Sequence, residues 1–147
     1  LVQVLCIGSI SNLVNLSSSM KRKTREIGSD AEDFAVDYLI ERGFEILARN
    51  FRSNFCEVDL VAKEGDELVF IEVKACGQDD WDFWRVKLDK RKRAKLITCA
   101  KLFCLKNFKS LSKIKGIRFD VIFVDLKRGE INHYEGAFFA DDELISF

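Results

Sequence analysis

Residues 56–74, Cys56-Glu57-Val58-Asp59-Leu60-Val61-Ala62-Lys63-Glu64-Gly65-Asp66-Glu67-Leu68-Val69-Phe70-Ile71-Glu72-Val73-Lys74, read as two strands joined by a tight turn. From Cys56 to Ala62 the side chains alternate with period two, and Glu64-Gly65-Asp66-Glu67 is a turn signal, so the two runs form an antiparallel hairpin. Leu68 to Lys74 is apolar almost without interruption until Glu72, the mark of a strand covered on both faces at the centre of a sheet. Helices must supply that cover. Upstream, Ala31, Phe34, Ala35, Tyr38 and Leu39 make an apolar stripe at helical spacing, predicting a helix over Asp30–Arg42 ended by Gly43 and followed by a strand over Phe44–Phe51. Downstream, a polar and aromatic loop over 77–84 leads into a helix over Lys87–Lys106, with Ala94, Ile97, Ala100, Leu102 and Leu105 on its inner face. A strand over Arg118–Asp125, a turn at 127–130 and a short return over Ile131–Tyr134 complete an α/β domain.

The composition agrees. The chain has 147 residues, 48% hydrophobic and 33% charged, the profile of one soluble globular domain, and in its body no 18-residue apolar run free of charge to cross a membrane. Its net charge is zero, but unevenly laid down. Residues 26–84 carry 16 acids against 5 bases, and residues 85–118 carry 13 bases against the single acid Asp89. An acidic site beside a basic face suits a cation and a phosphate backbone. The five cysteines (Cys6, Cys56, Cys76, Cys99, Cys104) form no CxxC pair, which argues against a disulfide framework or zinc ribbon and for reduced thiols in a reducing cytoplasm. Residues 1–19 are uncharged, and Met20 opens a basic cluster, so 1–19 is set apart as a disordered extension and 20–147 as the domain.

The chemistry sits on the hairpin. Glu57 and Asp59 stand at i and i+2 and so share a strand face, and Glu72 and Lys74 repeat the device on the next strand. Carboxylates gathered on an apolar sheet need compensation. Mg²⁺, a hard cation content with one or two carboxylates, several waters and substrate phosphate oxygens, is the simplest candidate, with Asp59 and Glu72 as ligands; Mn²⁺ fits the same set. Lys74 could then orient the attacking water and offset phosphoryl charge. The competing reading is an ordinary Glu72–Lys74 surface ion pair.

The order E-x-D, turn, apolar run, E-x-K resembles the PD-(D/E)xK nuclease superfamily. Over residues 26–138 the chain is similar to the YraN family of bacterial proteins, which is related to archaeal Holliday-junction resolvases. The likeness rests on Gly28, Ala31, Glu32, Ala35, Tyr38, Leu39, Gly43, Arg49, Asn50, Arg52, Glu57, Asp59, Glu72 and Lys74, with Val86, Lys90, Ala100 and Arg118-Phe119-Asp120-Val121 further on. It implies a restriction-endonuclease-like fold with a mixed central sheet flanked by helices. Asp59, Glu72 and Lys74 would be the catalytic triad, and Glu32 the added acid of the resolvase-like branch. Read without the family, Glu32 is an acid in a helix's first turn, and Glu57 is either part of a metal shell or a partner of Arg49 or Arg52. Two positions depart from the family pattern: Cys56 replaces a glycine, and Cys76 replaces an arginine that could contact phosphate.

Lys87, Lys90, Arg91, Lys92, Arg93 and Lys95 make the second helix basic; with Arg85 before it and Trp81 and Trp84 beside it, the segment suits phosphate contact and base stacking. Arg85, Lys87, Lys90, Arg91 and Arg93 are the nucleic-acid contacts expected. The lone His133 reads as structural. Together these point to a Mg²⁺-dependent endonuclease acting on nucleic acid, DNA in the first place and branched DNA by resemblance, with a homodimer as the assembly considered. The rival is a non-catalytic nucleic-acid-binding or protein-interaction module on the same fold.

Overall fold

The computed structural model describes residues 10–76 and 88–140. The hairpin is there: β2 (Glu57–Glu64) and β3 (Glu67–Ala75) run antiparallel, registered from Glu64↔Glu67 to Leu60↔Ile71. Gly65 opens the two-residue turn at φ +59, a sign of φ that glycine takes without the steric cost of a Cβ. The preceding strand β1 (Glu45–Arg52) pairs antiparallel with β2, and β4 (Gly116–Asp125) pairs parallel with β3 from Glu67↔Gly116 to Ala75↔Val124. The last strand, β5 (Glu130–Phe138), returns antiparallel along β4, giving one mixed sheet in the order β1-β2-β3-β4-β5. Parallel strands need a crossover, and the helix between β3 and β4 (α2, Lys90–Lys106) lies within it. The architecture is α/β and compatible with the restriction-endonuclease-like fold.

Each face has its own core. On one, Ala31, Ala35 and Leu39 of the first helix (α1, Ile10–Glu41) are fully buried against Leu60, Ile71, Ile122 and Val124. Alanine at two of the three contact positions lets α1 lie close to the sheet. On the other, Leu96, Ile97, Cys99, Ala100 and Phe103 of α2 pack on Val61, Leu68, Phe70 and Phe119. The Phe70 ring meets Phe103 edge-on at 5.8 Å and lies tilted against Phe119 at the same separation.

Several elements depart from the sequence reading. α1 begins at Ile10 rather than Asp30, so it runs through residues 10–19; with no proline in the chain, Gly28 is the one glycine on the way, and one glycine does not stop a helix. Phe34 lies at the margin of the stripe and is 38% exposed, its ring tip beside the β4–β5 turn near Gly129. The inner face of α2 is phased on Leu96, Cys99, Ala100 and Phe103, while Ala94 and Leu105 face outward. Asp89 sets that phase as N-cap, its Oδ1 accepting the Lys92 amide at 2.7 Å, so the helix starts at Lys90 and not at Lys87. β5 runs four residues past Tyr134 because Gly136, at φ +58, makes a bulge. The loop over 77–84 with Trp81 and Trp84, and Arg85 and Lys87 after it, fall outside the described residues.

A buried polar latch fastens β4 and β5. The Asp120 carboxylate, fully enclosed, accepts two bonds from Arg118 (2.9 and 3.0 Å) and one from the Gly136 amide (2.9 Å), and lies 2.9 Å from His133 Nε2. Burial pushes the Asp120 carboxyl up, but His133, Arg118 and the Gly136 amide pull it further down, below its ordinary value. Arg118 also reaches Glu64 (2.8 Å) and Glu67 (2.9 Å), tying β4 to the end of the hairpin. His133 thus serves the packing, as expected, with the Tyr38 and Phe44 rings against it.

The cysteines correct the reading of reduced thiols: Cys56 and Cys99 are disulfide-bonded, their Cα atoms 5.5 Å apart. The start of β2 and the middle of α2 face each other across the core, a proximity that a sequence separation of 43 conceals. Cys76 and Cys104 are outside that bond.

Two stability outcomes follow. Phe70→Ala should cost about 3–5 kcal/mol, read as a fall in the urea midpoint, because the two flanking rings cannot collapse into the space. Reductant should lower the stability of the wild-type chain by about 4 kcal/mol, the loop-closure entropy of a bridge of that span, and should leave Cys99→Ala unmoved.

Candidate active site

Asp59 sits where β2 parts from β3. The backbone ladder between them ends at Leu60↔Ile71, and beyond it the Val73 amide donates to Asp59 Oδ2 at 2.7 Å, the side chain replacing a strand. The alternation of faces also breaks here: Val58 packs in the α2-side core, whereas Leu60, two residues on, packs under α1. Directly across on β1, between the pairs Arg49↔Leu60 and Phe51↔Val58, stands Asn50 at φ +50, the one non-glycine residue with positive φ among those described. Asparagine tolerates that region better than most side chains.

Glu72 and Lys74 alternate with Val73, whose side chain lies under α1, so both project toward α2. Glu72 is 2% exposed, a carboxylate inside the central strand. Its Oε1 takes the Lys74 Nζ at 2.6 Å and the Lys92 Nζ of α2 at 2.9 Å. Its Oε2 is enclosed and has no hydrogen-bond partner. From the other side, Glu32 of α1 accepts from Asn50 Nδ2 at 2.8 Å. Glu32, Glu72 and Lys74 all act electrostatically on Asp59. Burial first, then the Glu72 charge, pushes the Asp59 carboxyl up to about 6; Glu32 adds to this, while the Val73 amide and Lys74 oppose it.

The four expected site residues therefore gather at one end of the sheet, delivered by α1, β2 and β3. Glu57 does not join them: it is exposed and takes two bonds from Arg52, at 2.9 and 2.6 Å, which settles its role as an ion-pair partner. Arg49 pairs with Asp33 of α1. Lys90 and Arg91 are exposed at the start of α2, whereas Arg93 is partly buried with its Nε enclosed and unpartnered. Lys92, expected only as one cation of a basic face, instead reaches inward to Glu72. Asn50 entered the sequence reading only as one position of the family likeness, its positive φ and its bond to Glu32 being invisible there.

Asp59 and Glu72 offer hard oxygen donors, and the enclosed Glu72 Oε2 is a lone pair without a proton donor, a set that fits a hard divalent cation keeping most of its shell as water or phosphate oxygen. Among the described residues no group of three or more His, Cys, Asp or Glu forms an all-protein cage. Nor is any described helix long and apolar enough to cross a membrane.

The model of the family described as Uncharacterised protein family UPF0102 matches residues 31–124. The chain belongs to that family. A UPF0102 protein of Thermodesulfovibrio yellowstonii is 39% identical over 114 residues, 78% of this chain and 96% of that one. A UPF0102 protein of Clostridioides difficile is 38% identical over 114 residues, 78% and 97% of the two chains, and one of Pseudomonas fluorescens is 33% identical over 117 residues, 80% and 96%. UPF0102 membership agrees with the likeness read from the sequence and fixes kinship; the chemistry rests on the site.

The raised Asp59 pKa has a stability consequence. Between about pH 4 and 6 the unfolded chain has lost this proton and the folded chain still holds it, so this group's contribution to stability falls as pH rises through that window and is level above it. In chelator, Asp59→Asn, which keeps an acceptor for the Val73 amide, should melt higher than wild type at pH 7.5, with the gap closing toward pH 4. A gap independent of pH would show that the Asp59 carboxyl is unperturbed.

Proposed function

We propose that this UPF0102 protein is a metal-dependent nuclease, hydrolysing phosphodiester bonds in DNA, with branched DNA as the preferred class. The observation that carries the reading is Glu72: a carboxylate enclosed in the central strand, one oxygen held by two lysines and the other left without a partner, beside a second, half-buried carboxylate on Asp59. Asp59 and Glu72 would hold Mg²⁺, or Mn²⁺, which when bound supplies Lewis acidity and a more acidic water. Lys74, half exposed at the site's edge, orients the attacking water and offsets charge on the phosphoryl oxygens. Water oxygen bonds to phosphorus and gives up a proton to solvent, one phosphorus–oxygen ester bond breaks, and the departing oxygen takes a proton from solvent. Glu32, held by Asn50, adds negative potential that favours the cation. Lys90 and Arg91 on α2 contact flanking phosphates, and Arg85 and Lys87 precede them in sequence. A twofold pair of sites matches a substrate with two strands of opposite polarity, so a homodimer accompanies the branched-DNA reading.

Two observations favour a second reading. Lys74 and Lys92 already compensate Glu72 without a metal, and Cys76 stands where the family pattern has an arginine; both suit a nucleic-acid-binding or protein-interaction module that does not cleave.

Cleavage of linear duplex, single-stranded, flap and four-way-junction DNA with Mg²⁺ or Mn²⁺ decides between them. Under the nuclease reading, Asp59→Asn abolishes turnover while binding survives, and Lys74→Ala lowers turnover far more than affinity. Cleavage that both variants retain removes the assignment. Absence of cleavage on every substrate, with binding intact, favours the second reading, and Cys76→Arg then tests whether the missing contact is the cause. Binding by wild type should weaken steeply with salt, and Lys90→Ala with Arg91→Ala should reduce the slope of log K against log salt by about 2.

A further inference from the structure

Lys92 opens α2 in company that does not suit it. Lys90, Arg91, Lys92 and Arg93 are consecutive, no acid lies in that first turn, and the N-terminal end of a helix dipole is positive. The backbone is not free to adjust, because the Lys92 amide is tied to the Asp89 cap at 2.7 Å. The side chain turns inward instead, its Nζ 2.9 Å from Glu72 Oε1, the oxygen that Lys74 already holds at 2.6 Å. Two ammonium groups thus crowd one oxygen while Glu72 Oε2 stays enclosed without a partner. Glu72 itself is sealed from water, yet the lysine side chains on it reach the surface, Lys92 being 36% exposed and Lys74 52%. A cation arriving from solvent meets a lysine before it meets Glu72, and like charges repel strongly where water is excluded.

We propose that Lys92 is the resident counter-ion of Glu72, which a divalent cation must displace to enter the site. The proposal rests on the metal-binding half of the nuclease reading and not on cleavage. Lys74 is not the group displaced: it stands two residues from Glu72 on the same strand face, in a strand paired with β4 as far as Ala75↔Val124, so it stays beside the site wherever its stem turns. Lys92 reaches across from another layer, and Glu72 is its one ion-pair partner among the described residues. Once a cation takes the Glu72 charge, nothing holds the ammonium inward, and the neighbouring cations of α2 drive it to solvent along its flexible stem. Lys92 is therefore a positioning residue. It keeps the unfilled site compensated, and it sets the affinity for a cation below what Asp59 and Glu72 alone would give.

The test uses the full chain without DNA. In wild type, reductive methylation of lysines, read residue by residue by mass spectrometry, should label Lys92 several-fold faster in saturating Mn²⁺ than in chelator, with the exposed Lys95 labelling alike in both. Mn²⁺ affinity, read from loss of the free-ion electron paramagnetic resonance signal, should rise roughly tenfold in Lys92→Met, because a repelling charge is gone. Lys92→Arg, which keeps the charge, and Lys95→Met, which removes one outside the site, should show no such rise. Lys92→Met should also melt below wild type in chelator and recover that loss in Mn²⁺, the cation replacing the ammonium. A merely structural ion pair would lower melting equally with and without Mn²⁺ and leave affinity and Lys92 labelling unchanged; that result overturns the proposal. Tighter Mn²⁺ binding by Lys92→Met in a protein that cuts no DNA keeps the counter-ion and removes the nuclease, whereas unchanged affinity and labelling in a protein that cuts does the reverse. No Mn²⁺ uptake by wild type or Lys92→Met removes both.

Discussion

A carboxylate enclosed in the central strand of a doubly covered sheet is the constraint around which this molecule is arranged. Glu72 cannot reach water, because α1 covers one face of β3 and α2 the other, and an uncompensated charge there would cost several kcal/mol. The structure answers by bringing Lys74 from the same strand and Lys92 from α2 to one oxygen. That requirement reaches back into the fold, since Lys92 meets Glu72 only if α2 starts where Asp89 caps it.

The second carboxylate depends on a local failure of regular structure. Were β2 to continue its ladder with β3, the Val73 amide would be taken by backbone and Asp59 would alternate like its neighbours. The parting of the strands after Leu60, with Asn50 strained opposite, frees Asp59 to accept that amide while close enough to Glu72 and Glu32 to feel both charges. Strain in the backbone collects where chemistry is placed. The opposite region is regular in a different way: Arg118, Asp120 and His133 satisfy one another and give the sheet a rigid far side.

Much of this was legible in advance. Period-two alternation, the glycine turn and the apolar run announced the hairpin and the burial of its second strand, since those patterns depend on neighbours along the chain. The i, i+2 spacing of Glu72 and Lys74 similarly promised a shared face. At Glu57 it left two roles open, a metal shell or an arginine partner, and the structure gives the second, to Arg52. Helical spacing found Ile97 and Ala100 on the inner face of α2 but misplaced Ala94 and Leu105, since the apolar residues there allow more than one phase.

What the sequence by itself determined is therefore the order and type of the described elements, the central position of β3, and the residue types available at the site, because each follows from short-range periodicity and from the kinship its motifs carry. Tertiary structure alone decided the Cys56–Cys99 bond, the inward turn of Lys92, the union of Glu32 with Asn50, and the burial that lifts Asp59 toward neutral pH. Each of these joins residues separated by 18 to 43 positions, or depends on how much water the packed layers exclude. Local patterns carry neither quantity, because distance across a core and local dielectric exist only once the layers have closed.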